Sequence, residues 1–169
     1  MDMPSRFSLT RAMTTEEGVY GLILVSGLIA ASGSAGAPAW KTLVFTAVTV
    51  LVFWIAHVYA GAVAMHGSPS AAGTPVSIRE ATRSAVRKSR GLLAATLAPA
   101  AALMFGAVGL IGDVAATWTA MWVCVSVLAV LGYVAYRRKG APMWVRLIGA
   151  VSTASFGIVI IIAKAIVTH

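Results

Sequence analysis

A histidine inside a long apolar run invites the first chemical reading of this chain. His57 lies in the run Thr42 to Met65, about 16 residues or roughly 24 Å of helix past Lys41, and so within a hydrocarbon layer about 30 Å thick. An imidazole at that depth needs a partner or a cavity. Thr46, Thr49, Phe53, His57, Ala60 and Ala64 recur at spacings of three and four. One face of the helix therefore carries two hydroxyls and the imidazole, and it is expected to turn into a bundle rather than towards lipid. Two roles fit: a titratable station on a proton or ion path, or a neutral histidine hydrogen-bonded to a neighbouring helix.

Three further groups could join His57. Glu17, at the start of the first apolar run, could face it, with Tyr20 one turn further in, and Tyr59 is close in sequence. Glu17 also has a structural role open to it. Thr14 and Glu17 have capping-box spacing, and a carboxylate in a first turn complements the helix dipole. Lys164 lies about 20 residues beyond Trp144 and is expected to snorkel to the far interface, although Gly149, Thr153, Phe156, Ile160 and Lys164 align on one face that would equally extend a polar path.

The polar segment 66–90 carries a different signal. Gly67, Pro69, Gly73 and Pro75 predict a loop, and Ser77-Ile78-Arg79-Glu80 is a second capping box that should start a short helix. On that helix Arg79, Arg83, Arg87 and Arg90 share one face, as expected of a basic amphipathic segment on anionic lipid headgroups or of a docking surface for an acidic partner. Positive charge gathered in a loop by topology alone is the plainer explanation.

Other chemistries lack equipment. There is no phosphate-cradling glycine loop, nucleophile elbow or HExxH motif. The three histidines, His57, His66 and His169, do not have metal-ligand spacing. Cys124, the single cysteine, falls in an apolar run and reads as a small packing residue. Glu17, His57 and Tyr59 could do acid and base work on a lipid, but no nucleophile or metal set accompanies them, so no catalytic residue, metal or cofactor is assigned.

The elements that must position these residues follow from composition. Of 169 residues, 59% are hydrophobic and 11% charged, against about a quarter charged in soluble domains. The apolar residues fall into five runs near the length that crosses a bilayer. The expected architecture is an all-α, five-span transmembrane bundle, a single membrane domain over 1–169, with spans near 18–33, 42–65, 91–112, 114–136 and 143–167 and a loop with the amphipathic helix over 66–90. Pro99 should kink the third span, and its small residues Ala94, Ala98, Ala102 and Gly106 should let another helix approach. Asp113 is expected to cap the fourth.

Charge then orients the bundle. Arg6 and Arg11, the basic residues of 79–90, and Arg137, Arg138, Lys139 and Arg146 all fall on one side, leaving Lys41 and Lys164 on the other. The positive-inside rule puts the N-terminus in the cytoplasm and the C-terminus outside. A formal net charge of +8 placed beside apolar runs speaks for headgroups rather than nucleic acid. An alternative makes residues up to about Ala37 a cleavable signal peptide, since Ala35-Gly36-Ala37 suits cleavage; Glu16 and Glu17 stand where such a peptide wants positive charge.

The stretches Glu17-Gly18-Val19-Tyr20-Gly21-Leu22-Ile23-Leu24 and Val52-Phe53-Trp54-Ile55-Ala56-His57-Val58-Tyr59-Ala60 resemble segments of small integral membrane proteins of high-GC bacteria, a group that brings no activity with it. The resemblance covers the first two helices. It implies a bacterial cytoplasmic-membrane protein and directs interest to Glu17, Tyr20, His57 and Tyr59. Together these readings predict a small channel or permease, proton-linked through His57 and working as a homo-oligomer. The rival is a non-transporting scaffold that binds a membrane-protein or cytoplasmic partner through the arginine face.

Overall fold

The computed structural model describes residues 16–69 and 75–168. Thr14, Arg6, Arg11, Gly73 and His169 lie outside the described residues, and with them the capping box proposed for Thr14. Among the described residues five helices follow one another: α1 Glu16–Ser34, α2 Ala39–Met65, α3 Ile78–Ala107, α4 Asp113–Arg138 and α5 Met143–Thr168. Each is long and apolar enough to cross a membrane, and no strand occurs among the described residues. Backbone pairing within helices is the form that a lipid-facing chain requires.

Local chemistry accounts for most boundaries. Ser77 caps α3 as expected, its Oγ accepting from the Glu80 amide at 3.3 Å. The helix it starts does not end before the third apolar run, however. The expected short amphipathic helix and the third span are one helix of 30 residues: nothing between Arg79 and Leu92 breaks the backbone pairing, and Ala81 and Ala85 of its first turns find α2 to pack on. Pro99 sits buried inside it. Its far end comes five residues earlier than the apolar run suggests, because Gly109 takes a left-handed φ of 77°. The Gly109 and Leu110 amides then donate back to the Gly106 and Phe105 carbonyls, which closes the helix in a Schellman motif.

Asp113 corrects another expectation. It is the first residue of α4 rather than its cap, and its Oδ1 accepts from the Ala39 amide at 2.8 Å. The carboxylate therefore caps α2, whose own N-cap residue, Pro38, has no side-chain hydrogen bond to offer.

The bundle has inner and outer members. In α1, α3 and α4, 44% of the most apolar stretch is buried, against 11% in α2 and 17% in α5. Helix α1 packs against all four others, so removing it as a signal peptide would take out the centre. Leu22, Val25, Ile29, Leu92, Leu103, Met121 and Leu128 form a closed core. Lipid is as apolar as this core, so close packing and small residues hold the helices together. A Cβ on Gly106 would collide with the Cβ atoms of Ala116 and Ala39, which puts the expected small-residue ladder of α3 where α2 and α4 begin. At the α4–α5 seam Thr153 Oγ1 donates to the Leu128 carbonyl at 2.7 Å.

The face expected to turn inward on α2 does so only in part. The buried line runs through Ala39, Thr42, Thr46, Val50 and Ala62. Thr49, Phe53 and His57 are half-buried, while Ala60 and Ala64 are exposed. The N-terminal turns of α3 cause the difference: Ala81 and Ala85 pack on Ala62 and Val58, which turns that side of α2 inward instead.

Candidate functional site

At the end of the bundle where α1 starts, α2 finishes and α3 begins, a cavity of about 320 Å³ is lined by Glu16, Glu17, Tyr20, Phe53, His57 and Lys88. Glu17 forms its floor. The residue is only 8% exposed, and its Oε1 lies 3.6 Å from Lys88 Nζ. Register explains the pairing. Helices α1 and α3 run in parallel, and Gly21 lets the backbone of Leu92 come so close that an added Cβ would stand 3.1 Å from it. One turn earlier on each helix come Glu17 and Lys88.

An aromatic wall completes the cavity. The Tyr20 and Phe53 rings are 5.7 Å apart and tilted, and the Phe53 and His57 rings are 6.4 Å apart and nearly parallel at 24°. His57 is half-buried and forms no hydrogen bond among the described residues. It stands about 12 Å of helix from the end of α2, in the mouth of the bundle and not at its middle. Glu17, Tyr20 and His57 are thus brought to one cavity. Tyr59 does not join them: it is 71% exposed, because two residues along a helix turn a side chain to the far side.

The remaining candidates lie elsewhere. Thr46 is buried, its Oγ1 without a hydrogen-bond partner among the described residues. It lines an apolar cleft of about 250 Å³ between α1, α2 and α3, together with Val50 and Leu93. No lining residue is shared between this cleft and the His57 cavity, and Thr49 lines neither.

Lys164 corrects an expectation at the opposite end. It does not snorkel outward: it is 7% exposed, with Nζ 5.0 Å above the Trp118 ring and room made for it by Gly33. Phe156, placed on its face by spacing, is 52% exposed. Arg79, Arg83, Arg87 and Arg90 are all exposed, on the side of α3 opposite Ala81, Ala85 and Ser89, which are buried.

Lys88 is the member of the site that sequence reasoning misses, and Phe53 joins it as the ring between Tyr20 and His57. Lys88 reads in sequence as one more positive charge beside Arg87, and only the Gly21–Leu92 contact gives it a carboxylate. Its spacing one turn before Leu92 is the signal that was present. Chemically the cavity offers carboxylates, an imidazole, a phenol and one ammonium, which suits binding and proton exchange. Among the described residues no three His, Cys, Asp or Glu side chains gather as a metal site would need. Comparison of the chain with protein-family models, with curated proteins and with solved structures finds no match, so the chemistry of this cavity is what bears on its role.

Proposed function

We propose that this chain is a small permease of a bacterial cytoplasmic membrane, with the Glu17–His57 cavity as the cytoplasmic mouth of a path for protons or a small solute. The observation that carries the reading is a buried carboxylate and an imidazole on facing helices, lining one cavity at the end of a five-helix bundle. Ionisable groups within membrane spans that face a cavity are found on substrate, ion and proton paths. Proton coupling would involve Glu16, Glu17, His57 and Lys88 together, since all four line the cavity. The orientation rests on the Lys and Arg distribution, which leaves Lys41 and Lys164 alone on the outer side.

A permease is favoured over an open channel. The mouth and the mid-bundle cleft share no wall, and the fully buried Leu22, Val25 and Leu92 lie in the core. Passage therefore requires helices to shift against one another, as in alternating access. The largely unburied faces of α2 and α5 leave surface for lipid or for a second copy. Flux measured in proteoliposomes under an imposed pH gradient is expected to fall to background in His57→Ala. Flux that is absent, or unchanged in that variant, sinks the reading.

A scaffold remains the second reading, favoured by one observation. The arginine face belongs to a helix continuous with a span, so it is held rigidly rather than lying loose on the headgroups. On that reading Arg83→Glu together with Arg87→Glu abolishes co-purification of an acidic partner and leaves flux irrelevant.

A further inference from the structure

Resting on the transport reading above, we infer that the cavity between α1, α2 and α3 selects a small organic cation, an amine or quaternary ammonium, and that the Lys88 ammonium is its built-in competitor. Charge gives the first argument. Glu16 and Glu17 contribute two carboxylates to the lining and Lys88 one ammonium, so a cation can take the place of Lys88, whereas an anion would meet two carboxylates once Lys88 had turned towards it. The wall gives the second. Tyr20, Phe53 and His57 stand in sequence as a ladder of rings, and aromatic faces attract ammonium groups through their quadrupole. The volume, about 320 Å³, is at the small end of ligand sites.

The third argument is how loosely Lys88 is held. Its side chain is 72% exposed while that of Glu17 is 9% exposed, and they meet at 3.6 Å, a long separation for an ion pair. The carboxylate is enclosed and the ammonium lies mostly in the open. Arg87 and Arg90 beside it are exposed, so on leaving Glu17 the lysine enters a basic surface suited to anionic headgroups, which would receive its charge. A buried carboxylate that keeps its place while its cationic partner can leave is a site at which cations exchange.

Binding to the full-length protein in detergent, followed by calorimetry, tests this. The probes are tetraethylammonium and n-butylamine, with butyrate as the anionic control. Both ammonium probes are expected to bind saturably, and butyrate not at all. Glu17→Gln should weaken ammonium binding by about tenfold or more. If Lys88 occupies the carboxylate about two-thirds of the time, Lys88→Gln should tighten it about threefold. Phe53→Leu keeps an apolar side chain without the ring and should weaken it several-fold; it carries the test should Lys88→Gln not fold. Failure of both ammonium probes to bind, binding of butyrate, or unchanged affinity in the folded Lys88→Gln or Phe53→Leu protein overturns the inference. Ammonium binding with this pattern but without His57-dependent flux would refute the transport reading and leave the cation site standing. His57-dependent flux without ammonium binding would do the reverse.

Discussion

The two ends of the bundle are built from similar parts and assembled in opposite ways. At one end the Lys88 ammonium pairs with Glu17 beside Tyr20 and Phe53, at the edge of a cavity, and stays mostly exposed. At the other the Lys164 ammonium stands over Trp118 and is buried against Gly33 and Thr117. The difference lies in what surrounds each cation, since close approaches of small residues occur at both ends. The Lys164 end is drawn tight by Gly106 between Ala39 and Ala116, by Asp113 capping α2, and by the Ser32–Thr42 hydroxyl pair at 2.9 Å. At the Lys88 end the rings of Tyr20, Phe53 and His57 line an open cavity beside the close Gly21–Leu92 approach. One end suits closure of the bundle, the other exchange with the surroundings.

Crowding the tight end should cost most. Gly106→Val pushes a branched side chain against two alanine Cβ atoms that cannot turn away, and about 3 kcal/mol of destabilisation is expected, read as a lower melting temperature in detergent. Wild-type stability would show that the close approach is not needed. Gly33→Val meets Thr117 Cγ2 at 2.6 Å and Lys164 Nζ at 2.8 Å. Because the lysine can move, the expected loss is smaller, about 2 kcal/mol, and a quenching or shift of Trp118 fluorescence should report its displacement.

Asp113→Ala removes the cap on the Ala39 amide and is expected to cost about 1 kcal/mol. Hydrogen exchange sharpens that test, since the faster exchange should be confined to the first turn of α2. If it appears in α4 instead, the carboxylate is capping its own helix. At the open end Lys88→Gln breaks a mostly exposed ion pair, and a loss below about 1 kcal/mol is expected. A loss as large as that of Gly106→Val would erase the distinction between the ends.

What the residues announced were the elements. Apolar runs of spanning length are visible because each must solvate itself in lipid, and the Ser77 cap is visible because its partner, Glu80, is three residues away. The arginine face is equally legible, since helical spacing alone puts the four residues together. Part of the site could be read as well: Glu17, Tyr20 and His57 were singled out by their type and depth, and they do line one cavity.

Longer-range relations were not legible. That α3 runs unbroken from Ile78 to Ala107 depends on its first turns finding α2 to pack on. Asp113 looks like a cap for the residues after it, and only the fold brings Ala39 within reach. The packing of Ala81 and Ala85 on Ala62 and Val58 decided that Ala60 and Ala64 face outward despite sharing a helical stripe with Thr46.

The sequence by itself determined that the described residues form five helices fit to cross a membrane, where most of them begin, and which ionisable residues lie on or near them. These are consequences of neighbours within a few turns. Tertiary structure alone decided that Lys88 meets Glu17, that Lys164 is enclosed, and that Tyr59 stands apart from His57. Each depends on which helix lies alongside and at what register, and that is fixed by the close approach of small residues such as Gly21 and Gly106 whose partners are distant in the chain.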